Sequence, residues 1–368
     1  MSTSIIKLNT GIDVDAKTFK VKCRVLQMNQ HQVVKGSRAF KNNAKGFTEF
    51  WVWIQKRKVD GVALHFTMEA TGVYYENLAY FLESKGAIVH VVLPNQSQAF
   101  INSLNIKTRT DEIDADALSI MGLERQLTEW KPASSQMRLL KKLGRERLRL
   151  MKLKTMISNQ LHAELHAYDY CKESIKRMQQ LIAVIKKKME AVEKQLKEET
   201  AKDPDLQTKI EEICKVKGLR FITVITVVAE MNGFVLFNNR NQVVSFVGYD
   251  VVEKQSGSSV QSKRKISKKG NSYIRRALYF PAMTAVKHNE QYRKLYDRIF
   301  DRTKIKMKGY VAVQRKLLLL IYTLFTTGAT YNQKHYLELQ KLHRVQAEVP
   351  VGLTNSLLDA VDKMLQKV

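Results

Sequence analysis

Four carboxylates, each placed where an apolar run ends or a helix begins, constrain this chain more than any other feature. Asp13 follows the apolar stretch 5–12 in Gly11-Ile12-Asp13-Val14-Asp15, and Glu69 closes the run Val62 to Thr67. Asp111 and Asp114 stand in Thr110-Asp111-Glu112-Ile113-Asp114-Ala115. On a helix, the i and i+3 positions of Asp111 and Asp114 share one face. Asp116 is rotated by about 200° from Asp114 and is set aside. Asp13 and Asp15 share a face if the strand continues; Asp13 is preferred because it directly follows the apolar run. Taken singly, each acid is more often a helix cap or a solvated charge. Taken together, they fit a nuclease: phosphodiester cleavage with divalent metals requires hard oxygen ligands on a rigid scaffold, and strand ends bring distant positions together.

The elements around these acids predict an α/β domain over 1–130. Stretches 5–12 and about 18–27 have strand character, and Val33-Val34 begins a third strand of a meander. Asn42-Asn43 precede a helix through Phe47, Phe50, Trp51 and Ile54. A strand ending at Glu69, a helix from Tyr74 to Leu82, a strand from Ala87 to Leu93 and a helix over about 95–104 follow, with another helix beginning near Asp114. Hairpin-paired strands followed by alternation of strand and helix indicate a mixed sheet. Over 131–213 glycine disappears after Gly144 and apolar residues recur at three- to four-residue spacing, as in Ile182, Ile185, Met189, Val192 and Leu196. That pattern suits two long antiparallel helices broken near 168–172, or a coiled coil between chains. Residues 214–345 read as mainly helical, with Gln255-Ser256-Gly257-Ser258-Ser259 as a small-residue loop, and 346–368 as a tail.

Charge narrows the partner. The 368 residues carry a formal +27, while 1–130 hold 16 basic and 13 acidic residues, so +24 falls on the remaining 238. Such an excess favours nucleic acid, through phosphate contacts and counterion release. It is concentrated around the serine loop: between 251 and 276, Lys254, Lys263, Arg264, Lys265, Lys268, Lys269, Arg275 and Arg276 stand against the single acid Glu253. Backbone amides at the helix that follows Asn271, together with these lysines, suit phosphate. Cys23, Cys171 and Cys214 form no metal-ligand spacing and read as reduced thiols. The apolar run Leu317 to Phe325 is too short to span a bilayer and reads as a buried helix, so no membrane is expected, and a cytoplasmic, nucleoid-associated location follows.

These residues also carry a resemblance. Gly11-Ile12-Asp13-Val14, Met68-Glu69-Ala70-Thr71-Gly72-Val73-Tyr74 and the stretch 107–115 resemble the N-terminal domain of DEDD transposases of the IS one-ten insertion-sequence family and its Piv-type DNA invertase relatives. Phe246-Val247-Gly248-Tyr249, Gln255-Ser256-Gly257, Ile266-Ser267-Lys268-Lys269-Gly270-Asn271 and Arg275-Arg276-Ala277-Leu278 are similar to that family's C-terminal transposase domain, and Lys217-Gly218-Leu219 to its helix-hairpin-helix-like entry. The resemblance implies a RuvC-like, RNase H-type N-terminal domain, a helical coiled-coil middle and a mainly helical C-terminal domain. It further implies that Asp13, Glu69, Asp111 and Asp114 bind Mg2+ or Mn2+ and that Ser256 attacks DNA to form a phosphoserine link. Ser258 and Ser259 compete with Ser256 for that role. Donor and target DNA, a structured bridge RNA, and a homodimer that becomes a tetramer are the implied partners. The sequence departs from the family where its compact Lys-Thr-Asp becomes Lys107-Thr108-Arg109-Thr110-Asp111.

Two other functions fit the same residues. One is a metal-only nuclease of Holliday-junction-resolvase type, in which the serine loop merely binds phosphate. The other is a non-catalytic nucleic-acid scaffold.

Overall fold

Alternation along the first strand decides which residues meet. The computed structural model describes residues 4–332 except 254, 257–259 and 262–264. The chain divides into two compact units, 1–132 and 133–368. In the first, β1 (Ile5–Val14), β2 (Thr18–Gln27) and β3 (Gln32–Lys41) form an antiparallel meander. Helix α1 (Ala44–Gln55), β4 (Leu64–Glu69), α2 (Glu76–Ser84), β5 (Ile88–Val92), α3 (Pro94–Ser103) and α4 (Asp111–Glu124) follow. The sheet order is β3-β2-β1-β4-β5, with β4 parallel to β1 and β5 parallel to β4. This is the RuvC-like, RNase H-type mixed sheet that the resemblance implies.

The two faces of the sheet have opposite character because side chains alternate. Leu8 and Ile12 of β1 and Phe66 and Met68 of β4 point into an apolar core with Phe50 and Ile54 of α1 and Leu78 and Leu82 of α2. Phe50 meets Phe19 and Phe66 edge-on, with ring centroids 5.5 and 5.7 Å apart. On the other face, α4 lies across β1, and Asn9 and Thr67 are fully buried there. The Asn9 amide donates to the Leu118 and Ser119 carbonyls of α4 at 3.3 and 2.9 Å, and the Thr67 hydroxyl donates to Asn9 Oδ1 at 3.0 Å. Two glycines permit this approach. A Cβ on Gly11 would lie 2.0 Å from the Ala115 carbonyl oxygen, and one on Gly122 would lie 2.1 Å from Asn9 Nδ2.

The second unit is helical. Its elements are α5 (Ser135–Leu165), α6 (Lys172–Ala201), α7 (Pro204–Cys214), α8 (Phe221–Glu230), a 3-10 turn (Asn232–Phe234) and α9 (Arg240–Val247). Four two-residue strands follow: β6 (Val251–Val252), β7 (Gln255–Ser256), β8 (Val260–Gln261) and β9 (Lys265–Ile266). Then come α10 (Ser272–Ala277), α11 (Tyr279–His288), α12 (Glu290–Thr303) and α13 (Lys306–Thr327). Long helices α5 and α6 form the expected pair, broken between 165 and 172. Their Leu140, Leu143, Val192 and Leu196 join one core with Val224 and Val228 of α8 and Leu317, Leu318 and Ile321 of α13. Residues 131–213 thus share a core with the C-terminal region. The apolar run from Leu317 is the buried helix anticipated, and among the described residues no helix is long and apolar enough to cross a membrane. The expected tail, 346–368, lies outside the described residues.

Overpacking at a contact this close costs about 3 kcal/mol. Gly122→Ala is therefore expected to lower the stability of the first unit by roughly that amount. Trp51, Trp53 and Trp130, the chain's three tryptophans, all lie in that unit, so urea unfolding followed by tryptophan fluorescence reads it selectively. A loss below about 1 kcal/mol would show that α4 does not depend on this approach.

Candidate active site

The period of two that buries Asn9 and Thr67 under α4 also delivers the acids to that face. Asp13 lies four residues after Asn9 on β1, and Glu69 two residues after Thr67 on β4, so all four project toward the α4 side. Because β4 runs parallel to β1, with Ile12 opposite Met68, both acids emerge at the same end of the sheet. Helix α4 starts there. Thr110 is its N-cap, the hydroxyl accepting the Ile113 amide at 3.3 Å, and Asp111, Glu112 and Asp114 fill the first turn. Carboxylates are favoured at that position by the helix dipole. Sequence reasoning expected the helix near Asp114; the threonine cap starts it at Asp111.

Asp13 feels the other three acids. Asp13 is pushed up to about 6, first by burial and then by the negative charges of Asp111, Asp114 and Glu69. Asp114 Oδ1 is buried without a hydrogen-bond partner. A buried carboxylate oxygen with no partner is unfavourable unless a cation or donor satisfies it. Hard oxygen donors, a clustered negative charge and an orphaned oxygen fit a divalent cation of the Mg2+ or Mn2+ type.

As the side chains stand, protein groups hold several of these carboxylates, and among the described residues no three acids converge as a ligand set. Lys20, paired across the strands with Asp13, places its ammonium 3.1 Å from Asp111. Arg109 binds Asp114 at 3.0 Å and also contacts Gln98. The buried Ser97 hydroxyl donates to Glu69 Oε2 at 2.5 Å, and Thr71 donates to Oε1 at 3.3 Å. Asp116, set aside in the sequence, turns instead to β2, taking a two-pronged contact from Arg24 at 2.8 and 2.9 Å. Ser97, Lys20 and Arg109 were not identified from the sequence. Only the alternation Lys20, Lys22, Arg24 on β2 carries a signal for one of them, and it reads equally as a solvated face.

In the second unit, Ser256 lies on β7, its backbone paired with Val260 of β8, where sequence reasoning placed an irregular loop. Ser258, Ser259, Lys263 and Arg264 lie outside the described residues. The root of this ribbon is fastened. Strands β6 and β9 pair, the Ser267 hydroxyl donates to Asp250 at 2.7 Å, and the Asn271 amide nitrogen donates to Glu230 at 2.7 Å. Asn271 Oδ1 caps α10 by accepting from the Tyr273 and Ile274 amides. Glu230, almost fully buried, is gripped by Arg145 through contacts of 2.6 and 2.9 Å. Lys265, Lys268, Lys269 and Arg276 are exposed, as phosphate contacts require, whereas Arg275 donates to the Val247 and Gly270 carbonyls.

The raised Asp13 carboxyl makes a pH prediction. A carboxyl whose folded pKa lies above its ordinary value destabilises the fold once ionised, and the penalty is relieved as pH falls through about 6. Asp13→Asn is therefore expected to raise the melting temperature of the metal-free first unit at pH 8, with the gain shrinking below pH 6. Mn2+ should stabilise the unsubstituted protein more than Asp13→Asn. Equal stabilisation of both by Mn2+ would remove Asp13 from the ligand set.

The chain is similar to several known proteins. A model for DEDD-type IS110 transposases matches residues 10–169, and one described as the transposase IS116/IS110/IS902 family matches 210–297. The pilin gene-inverting proteins of Moraxella bovis and Moraxella lacunata are each 25% identical over 333 residues, covering 89% of this chain and 98% of theirs. Among solved structures, Thermus thermophilus RuvC matches 33% of this chain and 99% of its own length at 11% identity, with a TM-score of 0.26. The same protein in complex with a Holliday junction substrate matches with a TM-score of 0.24. The acids at the sheet end lie in the span of the first family model and the serine ribbon in that of the second; the chain belongs to the IS110 family of transposases, enzymes that recombine DNA.

Proposed function

We propose that this transposase cuts and joins DNA through Ser256, assisted by a divalent cation held by Asp13, Glu69, Asp111 and Asp114. The observation that carries this reading is the Asp13 carboxyl, raised to about 6 first by burial and then by the negative charges of Asp111, Asp114 and Glu69. Bound Mg2+ or Mn2+ would supply charge neutralisation at the phosphate and its leaving oxygen.

The serine chemistry balances without an energy source. Ser256 Oγ loses its proton and bonds to phosphorus, and the bond from phosphorus to the departing deoxyribose oxygen breaks as that oxygen gains a proton. One phosphate ester replaces another, so a hydroxyl of a second strand can reverse the step and join new DNA. Lys263, Arg264, Lys265, Lys268, Lys269 and Arg276 would hold the backbone during exchange. Arg275, engaged by two carbonyls, is better suited to shaping the ribbon root.

A structured bridge RNA is the proposed guide, supported by the +24 charge on the last 238 residues, ample for RNA and DNA together. Dimers, and tetramers during strand exchange, are the proposed assembly. Exposed Leu153, Met156, Leu181 and Val184 on the α5–α6 pair support a helical interface between chains.

The test is an SDS-resistant protein–DNA adduct. Ser256→Ala is expected to form none and to lose strand exchange by about 1,000-fold or more, while still binding DNA. Asp13→Asn and chelation of divalent cations should each suppress the adduct. Strand exchange that persists in Ser256→Ala would leave a metal-only nuclease as the better reading.

A further inference from the structure

Helices α11, α12 and α13 border an open, shallow cavity of about 660 Å3 that the proposed cutting chemistry does not use. Its size falls in the range of small-ligand sites, about 300–1,000 Å3. Three aromatic rings line it: Phe280, Tyr296 and Tyr310. Phe280 leaves 72% of its surface in solvent, although it follows directly on the packed turn between α10 and α11. The two tyrosines form a fixed platform. Tyr296 stacks on Phe300 with centroids 5.9 Å apart and planes 9° from parallel, and it lies 4.7 Å from Tyr310. Gly309 lets that ring settle against α13, since a Cβ there would come within 2.5 Å of it.

The rim is cationic. Lys287 and Arg293 line the cavity, against the single acid Asp297. Arg293 donates to the Val286 and Lys287 carbonyls at 3.3 and 2.7 Å, which offsets the negative end of α11 where it meets the cavity. An anionic ligand therefore meets positive charge there rather than bare carbonyls. Aromatic faces beside positive charge match the two parts of a nucleotide: a base stacks on any ring, and a phosphate seeks the cations. A base inside a duplex is already stacked on its neighbours, so only an unpaired nucleotide can offer a face.

We propose that this cavity binds one unstacked nucleotide of a single strand, its base against Phe280 and the tyrosines and its phosphate at Lys287, with Arg293, tied to two carbonyls, shaping the rim. The inference rests on the recombinase reading, since strand exchange must unpair DNA. It adds a second contact of different chemistry from the serine ribbon.

Full-length protein should be titrated with three fluorescent probes: a single-stranded oligonucleotide, the duplex of the same sequence, and a deoxyribose-phosphate oligomer lacking bases. Phe280→Ala is expected to weaken single-strand binding by about 5- to 100-fold, leaving the duplex and base-free probes unchanged. Phe280→Trp should stay within about threefold of the unsubstituted chain, because the larger ring still stacks. Equal loss on all probes, or no loss on any, overturns the proposal. An unsubstituted protein that binds duplex but not single strands also overturns it while leaving the recombinase reading intact; failure to bind either nucleic acid defeats both. A change in oligomeric mass for Phe280→Ala, without a change in single-strand binding, would make the cavity a protein interface and overturn the proposal.

Discussion

Everything at the candidate site depends on a buried polar clamp. Asn9 ties β1 to two carbonyls of α4, and Thr67 ties β4 to Asn9. An unsatisfied amide in that place would be costly, so the bonds hold α4 in one position across the two central strands. Asp13 and Glu69 follow the clamp residues by short steps on the same face, and Asp111 and Asp114 open the helix being clamped. Three segments far apart in sequence thereby converge through contacts that belong to none of the acids.

The charge balance at this end of the sheet is local. The first 130 residues carry almost no net charge, yet β2 turns Lys20, Lys22 and Arg24 toward α4, whose Asp111 and Asp116 they bind. Lys20 is part-exposed and Asp111 mostly exposed, so their pairing contributes little to stability. Its value is electrostatic: it offsets repulsion among the acids. Arg109 does the same for one oxygen of Asp114 and leaves the other unpartnered.

Much of the first unit was legible because strand alternation and apolar runs are local signals. Asp13 and Glu69 are legible because each ends such a run, and Asp111 and Asp114 because they open a helix. Strand β3 was only partly legible, since it extends from Gln32 to Lys41 at the sheet edge with most side chains exposed and no apolar alternation to reveal it. Asn9 and Thr67 were invisible for the opposite reason: single polar residues inside strands acquire their meaning only when a helix lies over them. Ser97 depends likewise on where α3 places it beside Glu69. In the second unit, the basic cluster was plain, but only the fold separates the exposed Lys268 and Lys269 from Arg275, which is tied to backbone carbonyls.

The threonine cap of α4 bears on how the loop before it can change. Thr110 resets the chain to helical geometry immediately before Asp111, so the three-residue step to Asp114 is counted from the cap and not from β5 or α3. The extra residues around Arg109 are thus absorbed upstream, in a segment that closes no strand pairing. Loop length upstream can therefore change without altering the spacing of the two acids, provided a capping side chain remains one position before the first. What the cap fixes there is a phase, not a distance.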